Sequence, residues 1–265
     1  WTEAARARQL GRWRPEDTQY VAAFQADTGQ RMWQKKYPVV PLTLTADAKS
    51  VYFHDGEGFV CLDRQTGAVC WRSDAVGKIA EVNSAITPTL VVQQGILLFF
   101  FQNQLTALAA KTGAKIWVDD TYPRSGHYSP IDVLVVHGLV WSGGSGGRPF
   151  IGKDLFTGEV KSQFKPPQMT WFHNRCYRSK ATDRFILASR TGIEYADIEA
   201  EAVTVQHWTR GACLYGIMPC NGLIYAPPHS CACLQESKTT DFNAFTSVRP
   251  EPDPDVPDRD RLEKG

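Results

Sequence analysis

Short apolar runs separated by polar turns recur along this chain, and one stretch shows the pattern most clearly. Residues 59–71 comprise an apolar run, the turn Asp63-Arg64-Gln65-Thr66-Gly67 and a second run that ends near Trp71. Apolar runs of this length are typical of strands, and a Thr-Gly pair favours a tight turn. The pattern therefore predicts two antiparallel strands joined by a turn, with Trp71 at the end of the second strand.

The same turn recurs at regular intervals, with Trp five positions after Thr in the clear copies. These copies are Thr28-Gly29 with Trp33, Thr112-Gly113 with Trp117, and a weaker one at Thr157-Gly158 that ends in Phe164 rather than Trp. Successive Thr-Gly pairs are 38, 46 and 45 residues apart, which is the period of a four-stranded propeller blade. The sequence thus predicts an all-β fold, a β-propeller, in which the periodic Trp residues dock one blade on the next.

Each blade should contain four strands, A to D in chain order, and the third unit shows all four. Its apolar segments lie at residues 88–92, 96–101, 105–109 and 115–118. In strand B of this unit, polar residues do not alternate with apolar ones. A strand of that kind is expected to be buried on both faces, here between neighbouring blades.

The repeats divide the chain into three predicted parts. We expect a loop or frayed helix at residues 1–19, propeller repeats at residues 20–248, and a Pro- and Asp-rich linker at residues 249–265. The first hairpin begins at Tyr20 without strands A and B before it, and the sixth unit lacks strand D. The expectation is an incomplete propeller of four full blades flanked by partial ones, excised from a larger array.

The charge balance argues against two classes of partner. The chain has 29 Lys and Arg residues against 28 Asp and Glu residues, so it carries no electrostatic footprint for nucleic acid or for an anionic membrane. Its apolar runs are far shorter than the ~20 residues of a membrane-spanning helix. We therefore expect neither a nucleic-acid partner nor membrane insertion.

The repeat resembles the pyrroloquinoline quinone (PQQ)-like propeller repeat over residues 20–245. That repeat is found in quinoprotein dehydrogenases and in the non-enzymatic propeller lipoprotein of outer-membrane assembly. Residues 210–222 and 225–233 look like a subgroup of large bacterial propeller proteins, some of which also carry a methyltransferase-like domain. The resemblance implies the propeller fold and a periplasmic or secreted location, and it leaves the function open.

Blade topology assigns the connections to two faces, because strands A to D alternate in direction. The A–B and C–D turns lie on one face, and the B–C and D–A connections lie on the other. The second face, called the long-loop face below, collects the long segments 73–85, 119–130, 143–149, 165–175, 209–212 and 227–241. Long loops on a rigid scaffold often carry binding sites, so this face is the candidate functional face.

Four cysteines and two histidines are predicted to share one neighbourhood of the long-loop face. Cys176 and Cys213 are expected to begin the A strands of adjacent blades, and Cys231 and Cys233 lie in the last insertion, with His173 and His229 nearby. Disulfides that fasten the loop to the blades are the favoured interpretation. A zinc site made from these six residues and unlinked thiols both stay open. Cys220, at an A–B turn, is expected on the opposite face.

A second cysteine pair lies within the first complete hairpin. Cys61 and Cys70 would face each other if the turn between them were symmetrical, which would allow a cross-strand disulfide. Burial of both as small apolar residues is the favoured alternative.

Catalytic motifs of the related dehydrogenases are weak in this chain. Quinoprotein dehydrogenases use adjacent cysteines in a strained disulfide and a calcium site with a catalytic carboxylate, and this chain has no Cys-Cys pair. Asp119, Asp120 and Asp132 could be ligands, but solvated surface carboxylates are the favoured interpretation. If PQQ and calcium were bound, the candidate pocket residues would be Asp120, Arg124, His127, Arg148 and Trp171.

The sequence therefore favours a non-catalytic binding or scaffold module of a larger bacterial propeller protein. Its expected partners are other blades or domains of the parent chain and a protein or carbohydrate ligand at the long-loop face. The alternative is a domain of a PQQ-dependent dehydrogenase.

Overall fold

The computed structural model of the protein describes residues 13, 19–80, 82, 88–120, 131–144, 148–167, 177–189, 192–206, 209–213, 215–228 and 241–246. These residues form strands and turns, and the strands group into six antiparallel sheets. Over the same ranges, no helix is long and apolar enough to span a membrane.

Each sheet corresponds to one repeat of the sequence. Blade 1 has strands C and D, β1 (Tyr20–Phe24) and β2 (Arg31–Lys36). Blade 2 has β3 (Thr45–Ala46), β4 (Ser50–His54), β5 (Phe59–Asp63) and β6 (Val69–Ser73). Blade 3 has β7 (Thr89–Gln93), β8 (Ile96–Phe101), β9 (Gln104–Ala109) and β10 (Lys115–Asp119).

The later repeats continue the series. Blade 4 has β11 (Leu134–Val136), β12 (Leu139–Gly143), β13 (Phe150–Asp154) and β14 (Val160–Phe164). Blade 5 has β15 (Lys180–Ala181), β16 (Phe185–Ser189), β17 (Ile193–Asp197) and β18 (Ala202–Gln206). Blade 6 has strands A to C, β19 (Met218–Cys220), β20 (Leu223–Ala226) and β21 (Asn243–Phe245).

The strands of every sheet lie side by side in chain order, as expected of propeller blades. First strands of neighbouring blades contact one another, β3 with β7, β11 with β15, and β15 with β19. The first strands therefore form the inner edge of the array. The predicted fold class, an incomplete β-propeller of four-stranded blades, is confirmed. The three-part division of the chain stays a prediction, because most of residues 1–19 and all of 249–265 lie outside the described residues.

The apolar cores lie between blades rather than within them. Five buried clusters each join two consecutive blades, from blades 1 and 2 to blades 5 and 6. Strand β8 contributes to two of them: Leu97 and Phe99 face blade 2, whereas Leu98 and Phe100 face blade 4. The prediction that β8, which lacks alternating polar residues, is buried on both faces is confirmed.

The first strand of blade 2 is shorter than its apolar pattern predicts. The apolar residues within 40–45 favour a strand over that range, but the strand is observed only at Thr45–Ala46. The chain turns before it, with Leu42 at a φ of 60° and the Thr43 amide donating to the Val40 carbonyl. The Thr43 hydroxyl then accepts the amide hydrogen of His54, so a side chain replaces the missing backbone partner.

Three tryptophans dock consecutive blades through one repeated contact. The indole nitrogens of Trp33, Trp71 and Trp117 donate to the carbonyls of Arg64, Ala110 and Leu155, at 2.9, 3.1 and 3.0 Å. Each ring also covers the glycine of the Thr-Gly turn in the next blade. A Cβ atom at Gly67, Gly113 or Gly158 would come within 2.6–2.8 Å of the indole. The predicted role of these tryptophans in blade docking is confirmed.

Blade 4 docks on blade 5 differently, because Phe164 does not hold the position of the docking Trp. Ser162, rather than Phe164, occupies the position five residues after Thr157. Its hydroxyl donates to the Glu201 carboxylate at 2.7 Å, and Glu201 stands where the other turns have glycine. Phe164 is buried and stacks on Phe150. At this interface a small polar residue, Ser162, thus replaces the Trp of one blade, and a large one, Glu201, replaces the Gly of the next.

The register of the β5–β6 hairpin determines how Cys61 and Cys70 are placed. A β-bulge shifts the register in this hairpin, so that Cys61 lies opposite Trp71. Leu62 still pairs with Val69, and the extra residue of the bulge is Cys70 itself. The symmetrical pairing was therefore wrong, and both thiols are free. Cys61 is buried as expected, which raises its pKa to about 12 with a smaller contribution from Cys70, whereas Cys70 is exposed.

Candidate functional site

The best described part of the long-loop face is the B–C turn of blade 2. Asp55 is only 6% exposed, and its carboxylate accepts the amide hydrogens of Glu57 and Gly58 at 3.1 and 3.0 Å. The guanidinium of Arg72 donates to the same carboxylate at 2.7 Å. A carboxylate with three donors holds the turn in one conformation.

His54 connects this turn to the next loop of the same face. Its ring is buried, its Nδ1 accepts the Gly56 amide hydrogen at 3.0 Å, and its Nε2 lies 3.1 Å from the Gly77 carbonyl. These contacts require the neutral ring with its proton on Nε2. Burial lowers the pKa of His54, although the Gly77 carbonyl and the nearby Asp55 and Glu57 oppose the shift.

This arrangement predicts a loss of stability at mildly acidic pH. Above the ordinary His pKa of 6.5, His54 is neutral in both the folded and the unfolded chain. Below pH 6.5, His54 becomes protonated in the unfolded chain but stays neutral in the folded chain. The free energy of unfolding therefore falls with pH until the lowered pKa of the folded state is reached. Urea unfolding at pH 7.5 and 5.5 measures the difference. His54→Gln should reduce this dependence, whereas replacing the exposed His137 by Gln should leave it in place.

An aromatic residue outside the repeats also packs on this face. Trp13 is 3% exposed, and its amide donates to the Val82 carbonyl at 3.2 Å. Its ring lies over Gly56, where a Cβ atom would approach it to 2.8 Å. Residues 1–19 were predicted to be a loop or frayed helix. The signal for this contact in the sequence was a Trp that no repeat position explains.

A polar network joins the entrances to the first strands of blades 3, 4 and 5. The Arg178 guanidinium donates to the Ile131 carbonyl at 3.1 Å and to the Thr89 hydroxyl at 3.3 Å, and it lies 3.6 Å from the Asp132 carboxylate. The Ser179 amide donates to the same carboxylate at 3.0 Å. Asp132 was interpreted as a solvated residue. That was wrong, because its side chain is only 12% exposed and fixes two blades together.

Beside this network lies an open groove of about 420 Å³ between the first strands of blades 4, 5 and 6. Asp132 and Arg178 line one end, and Leu134, Lys180 and Met218 line the rest. The carboxylate and the guanidinium offset each other's charge, which leaves Lys180 as the cation of the lining. The groove is a mixed apolar and polar surface, and the described residues that line it include no set of groups arranged for acid–base or nucleophilic catalysis.

Two members of the predicted quinone pocket are described, and neither lines this groove. Asp120 is exposed and accepts a hydrogen bond from the Gln104 side chain at 2.6 Å, and Arg148 is also exposed. Two exposed side chains do not fit an enclosed quinone and calcium site. Arg124, His127 and Trp171 lie outside the described residues.

Asp119, the third carboxylate in question, is not solvated either. It is 8% exposed and forms an ion pair with Lys153 of blade 4. Its role is thus to connect blades 3 and 4, and the solvated interpretation was wrong for this residue as well.

The predicted cysteine and histidine cluster is described at one position. Cys213 is partly buried, whereas His173, Cys176, His229, Cys231 and Cys233 lie outside the described residues. Cys213 does not begin a strand: Gly216, at a φ of 69°, folds the chain back onto Ala212, and strand A starts at Met218. Strand A of blade 5 likewise starts at Lys180, after Cys176.

No disulfide joins the cysteines that the structure describes, which are Cys61, Cys70, Cys213 and Cys220. No described disulfide supports the ones predicted for the long-loop cluster, whose Cys176, Cys231 and Cys233 lie outside the described residues. Cys220 is exposed at the end of β19. In the same part of the chain, no three His, Cys, Asp or Glu side chains are close enough together to hold a metal ion.

A family profile and a relative of known sequence point to the same family. The sequence profile described as outer membrane protein assembly factor BamB matches residues 17–163. Outer membrane protein assembly factor BamB of Burkholderia pseudomallei (strain K96243) is 32% identical over 136 residues, covering 46% of this chain and 35% of the relative. The chain thus spans about a third of that protein's length.

A solved structure shows the same fold. BamB from Moraxella catarrhalis aligns with a TM-score of 0.53 at 14% identity, over 78% of this chain and 60% of the other. At this identity the likeness concerns the fold alone.

Proposed function

Because this chain belongs to the family of outer membrane protein assembly factor BamB, we propose that it is a non-catalytic scaffold module that binds a protein through its long-loop face. The observation that carries the proposal is the family match, which extends over blades 1 to 3 and most of blade 4. Function in a propeller resides in sites added to the scaffold, so the binding surface has to be argued separately.

The described contacts of the long-loop face support a binding surface better than a reactive one. Asp55 is held by Arg72 and two amides, and His54 is held neutral between two loops. Charged groups that are fully engaged in shaping turns are poorly suited to act as acids or bases. Above them, Glu57 and Lys78 form a 2.5 Å ion pair and are 68% and 74% exposed, so they are accessible to a partner.

The family also supports a location and a process. We propose a periplasmic location and a role in outer membrane protein assembly, the process that appears in the name of its Burkholderia relative. A protein ligand is preferred to the carbohydrate alternative on the same ground.

Site-specific photo-crosslinking tests the face and the partner class together. A photoreactive amino acid at Lys78 reports on the long-loop face, and one at Lys111, in the C–D turn of blade 3, reports on the opposite face. Both positions are exposed lysines, so the pair is matched. In cells that express the parent protein, we expect a discrete protein crosslink from position 78 and none from position 111.

Crosslinking only from position 111 would contradict the assignment of the face. Reconstitution of the parent protein with PQQ and calcium, followed by alcohol-dependent dye reduction, tests the non-catalytic assignment. Sustained turnover there would overturn the scaffold proposal.

A further inference from the structure

Trp13 fills a site on the long-loop face that blade 2 and its connection to blade 3 provide. Its ring lies against Gly56 in the B–C turn, and its amide donates to the Val82 carbonyl at 3.2 Å. Trp13, Ile79 and Val82 all belong to the buried apolar cluster between blades 2 and 3. Gly56, Ile79 and Val82 thus form a pocket, called the Trp13 pocket below, for a side chain that comes from outside the repeats.

The walls of the Trp13 pocket are fastened to each other by contacts that do not include Trp13. The Ile79 amide donates to the Gly56 carbonyl at 2.7 Å, which ties the D–A connection to the B–C turn. His54 joins the same two segments, because its Nδ1 accepts the Gly56 amide hydrogen and its Nε2 lies 3.1 Å from the Gly77 carbonyl. Walls held in this way keep their arrangement when the occupant leaves, and a preformed site favours binding.

Gly56 leaves room in this pocket for an aromatic ring. It has a φ of 93°, and a Cβ atom there would lie 2.8 Å from Cη2 of Trp13 and 3.3 Å from the Ile79 carbonyl oxygen. Glu57 and Lys78, which adjoin two of the wall residues in sequence, form an exposed ion pair, so their charges offset each other. The pocket therefore suits an aromatic side chain, and this ion pair favours neither an acidic nor a basic segment.

Trp13 is attached to its pocket by fewer contacts than the docking tryptophans are to theirs. Trp33, Trp71 and Trp117 lie in strands, and each indole N–H donates to a backbone carbonyl of the next blade. Trp13 forms an isolated β-bridge with Val82, and among the described residues its buried indole N–H meets no acceptor. A buried donor without an acceptor costs free energy. A phenylalanine side chain would fill the same apolar site without that cost.

We propose that the Trp13 pocket is an aromatic-binding site of the long-loop face, from which an extended segment of the protein partner displaces Trp13 by inserting a phenylalanine side chain. The partner's ring lies against Gly56, and the amide of the same residue donates to the Val82 carbonyl, in place of the Trp13 amide. This inference rests on the proposed function, because it names the chemistry by which the long-loop face recognises its partner.

Trp13 acts in this scheme as a competitor within the chain. Its side chain is 3% exposed, so the vacant pocket is the minor state of the free protein. A partner that binds only the minor state has its apparent affinity reduced by the population of that state. Removing the Trp13 side chain should therefore raise the apparent affinity several-fold.

Photo-crosslinking from position 78 of the parent protein tests this competition, because Lys78 adjoins Ile79. Trp13→Ala vacates the pocket and should increase the yield of the same protein crosslink several-fold. Gly56→Ala, added to Trp13→Ala, should cancel the gain, because its Cβ atom narrows the space for a ring. Gly95→Ala is the matched control: Gly95 has a positive φ of 79° and open space around it, so the gain should persist.

The outcomes separate this inference from the proposed function. A crosslink from position 78 whose yield does not change on Trp13→Ala would overturn the inference and leave the proposed function standing. The absence of a crosslink from position 78, with and without Trp13→Ala, would overturn both. Equal loss of the gain on Gly56→Ala and Gly95→Ala would show that backbone strain, rather than the pocket, causes it, and would also overturn the inference.

Fluorine NMR tests the displacement in the unaltered protein, labelled with 5-fluorotryptophan. The Trp13 resonance is identified as the one that is lost in Trp13→Phe. We expect the peptide acetyl-Thr-Val-Phe-Val-Thr-amide to shift this resonance toward that of a solvent-exposed fluorotryptophan, and to leave those of Trp33, Trp71 and Trp117 in place. The same peptide with Ser instead of Phe should leave all four unchanged. A Trp13 resonance that does not move with the Phe peptide, or that moves equally with both, would overturn the proposal.

Discussion

Replacing Gly113 by Ala is expected to lower the free energy of unfolding by about 3 kcal/mol. Gly113 has a φ of 72°, and an added Cβ atom would lie 2.6 Å from both the Trp71 ring and the Ser73 side chain. The left-handed backbone accounts for about 1 kcal/mol, and overpacking accounts for the remaining ~2 kcal/mol. Ser73 adds to the constraint because its hydroxyl donates to the Gly113 carbonyl at 2.7 Å. The midpoint of urea unfolding measures the effect.

Gly95 provides the matched control in the same blade. It has a φ of 79°, and a Cβ atom there would meet nothing within 4 Å. Gly95→Ala should therefore lower the free energy of unfolding by only about 1 kcal/mol. In a Trp71→Ala background, the loss of free energy of unfolding caused by Gly113→Ala should fall toward that smaller value. The added Cβ atom no longer meets the indole ring there. Equal effects of the two glycine substitutions in the unaltered chain would mean that Trp71 does not constrain the turn.

The C–D hairpins could be predicted from the sequence because their determinants are local. The Asp63 carboxylate accepts the amide hydrogens of Gln65 and Thr66, and Gly67 supplies the positive φ, all within five consecutive residues. Trp71 follows at a fixed distance, and the period of the motif then predicts the propeller. The first strands were predicted less well. Their limits depend on side-chain contacts such as that of Thr43 with His54, eleven residues away.

The presence of Ser162 at the docking position, in place of Trp, could have been predicted from the sequence. Counting five residues from Thr157 leads to Ser162, and the glycine position of the next turn is Glu201. Reading the repeat position by position, rather than searching for the next aromatic residue, would have identified both changes. That Ser162 and Glu201 bind each other required the structure, because they are 39 residues apart.

The buried ion pairs were harder to predict because their partners belong to different blades. Asp119 and Lys153 are 34 residues apart. Asp132 pairs with Arg178, whose position in the sequence is likewise far from it. A partial signal did exist. Lys153 precedes its turn at the position that is Leu62 in blade 2 and Leu108 in blade 3, and a cation at a core position requires a counter-charge. The quinone pocket and the cysteine cluster stay predictions for the residues that the structure does not describe.

The ion pair between blades 3 and 4 leads to the second large effect. The Lys153 ammonium and the Asp119 carboxylate are only 13% and 7% exposed. Replacing Asp119 by Ser leaves the lysine charge buried without this partner. We expect the free energy of unfolding to fall by about 3 kcal/mol, within the range measured when one partner of a buried pair is removed.

An exposed pair in the same blade gives the control. Glu159 and Lys161 are 2.8 Å apart and are 67% and 50% exposed. Exposed pairs contribute at most about 1 kcal/mol, so Glu159→Ser should have little effect on the urea midpoint.

The double variant Asp119→Ser with Lys153→Leu tests whether the unpaired charge causes the loss. It would recreate the residues found at the interface of blades 2 and 3, where Ser73 and Leu108 hold the two equivalent positions and Leu108 is fully buried. Because the charge is removed together with its partner, the double variant should recover most of the stability lost by Asp119→Ser alone. A double variant as unstable as the single one would show that the carboxylate acts through other contacts, and that the ion pair is not what holds blades 3 and 4 together at this position.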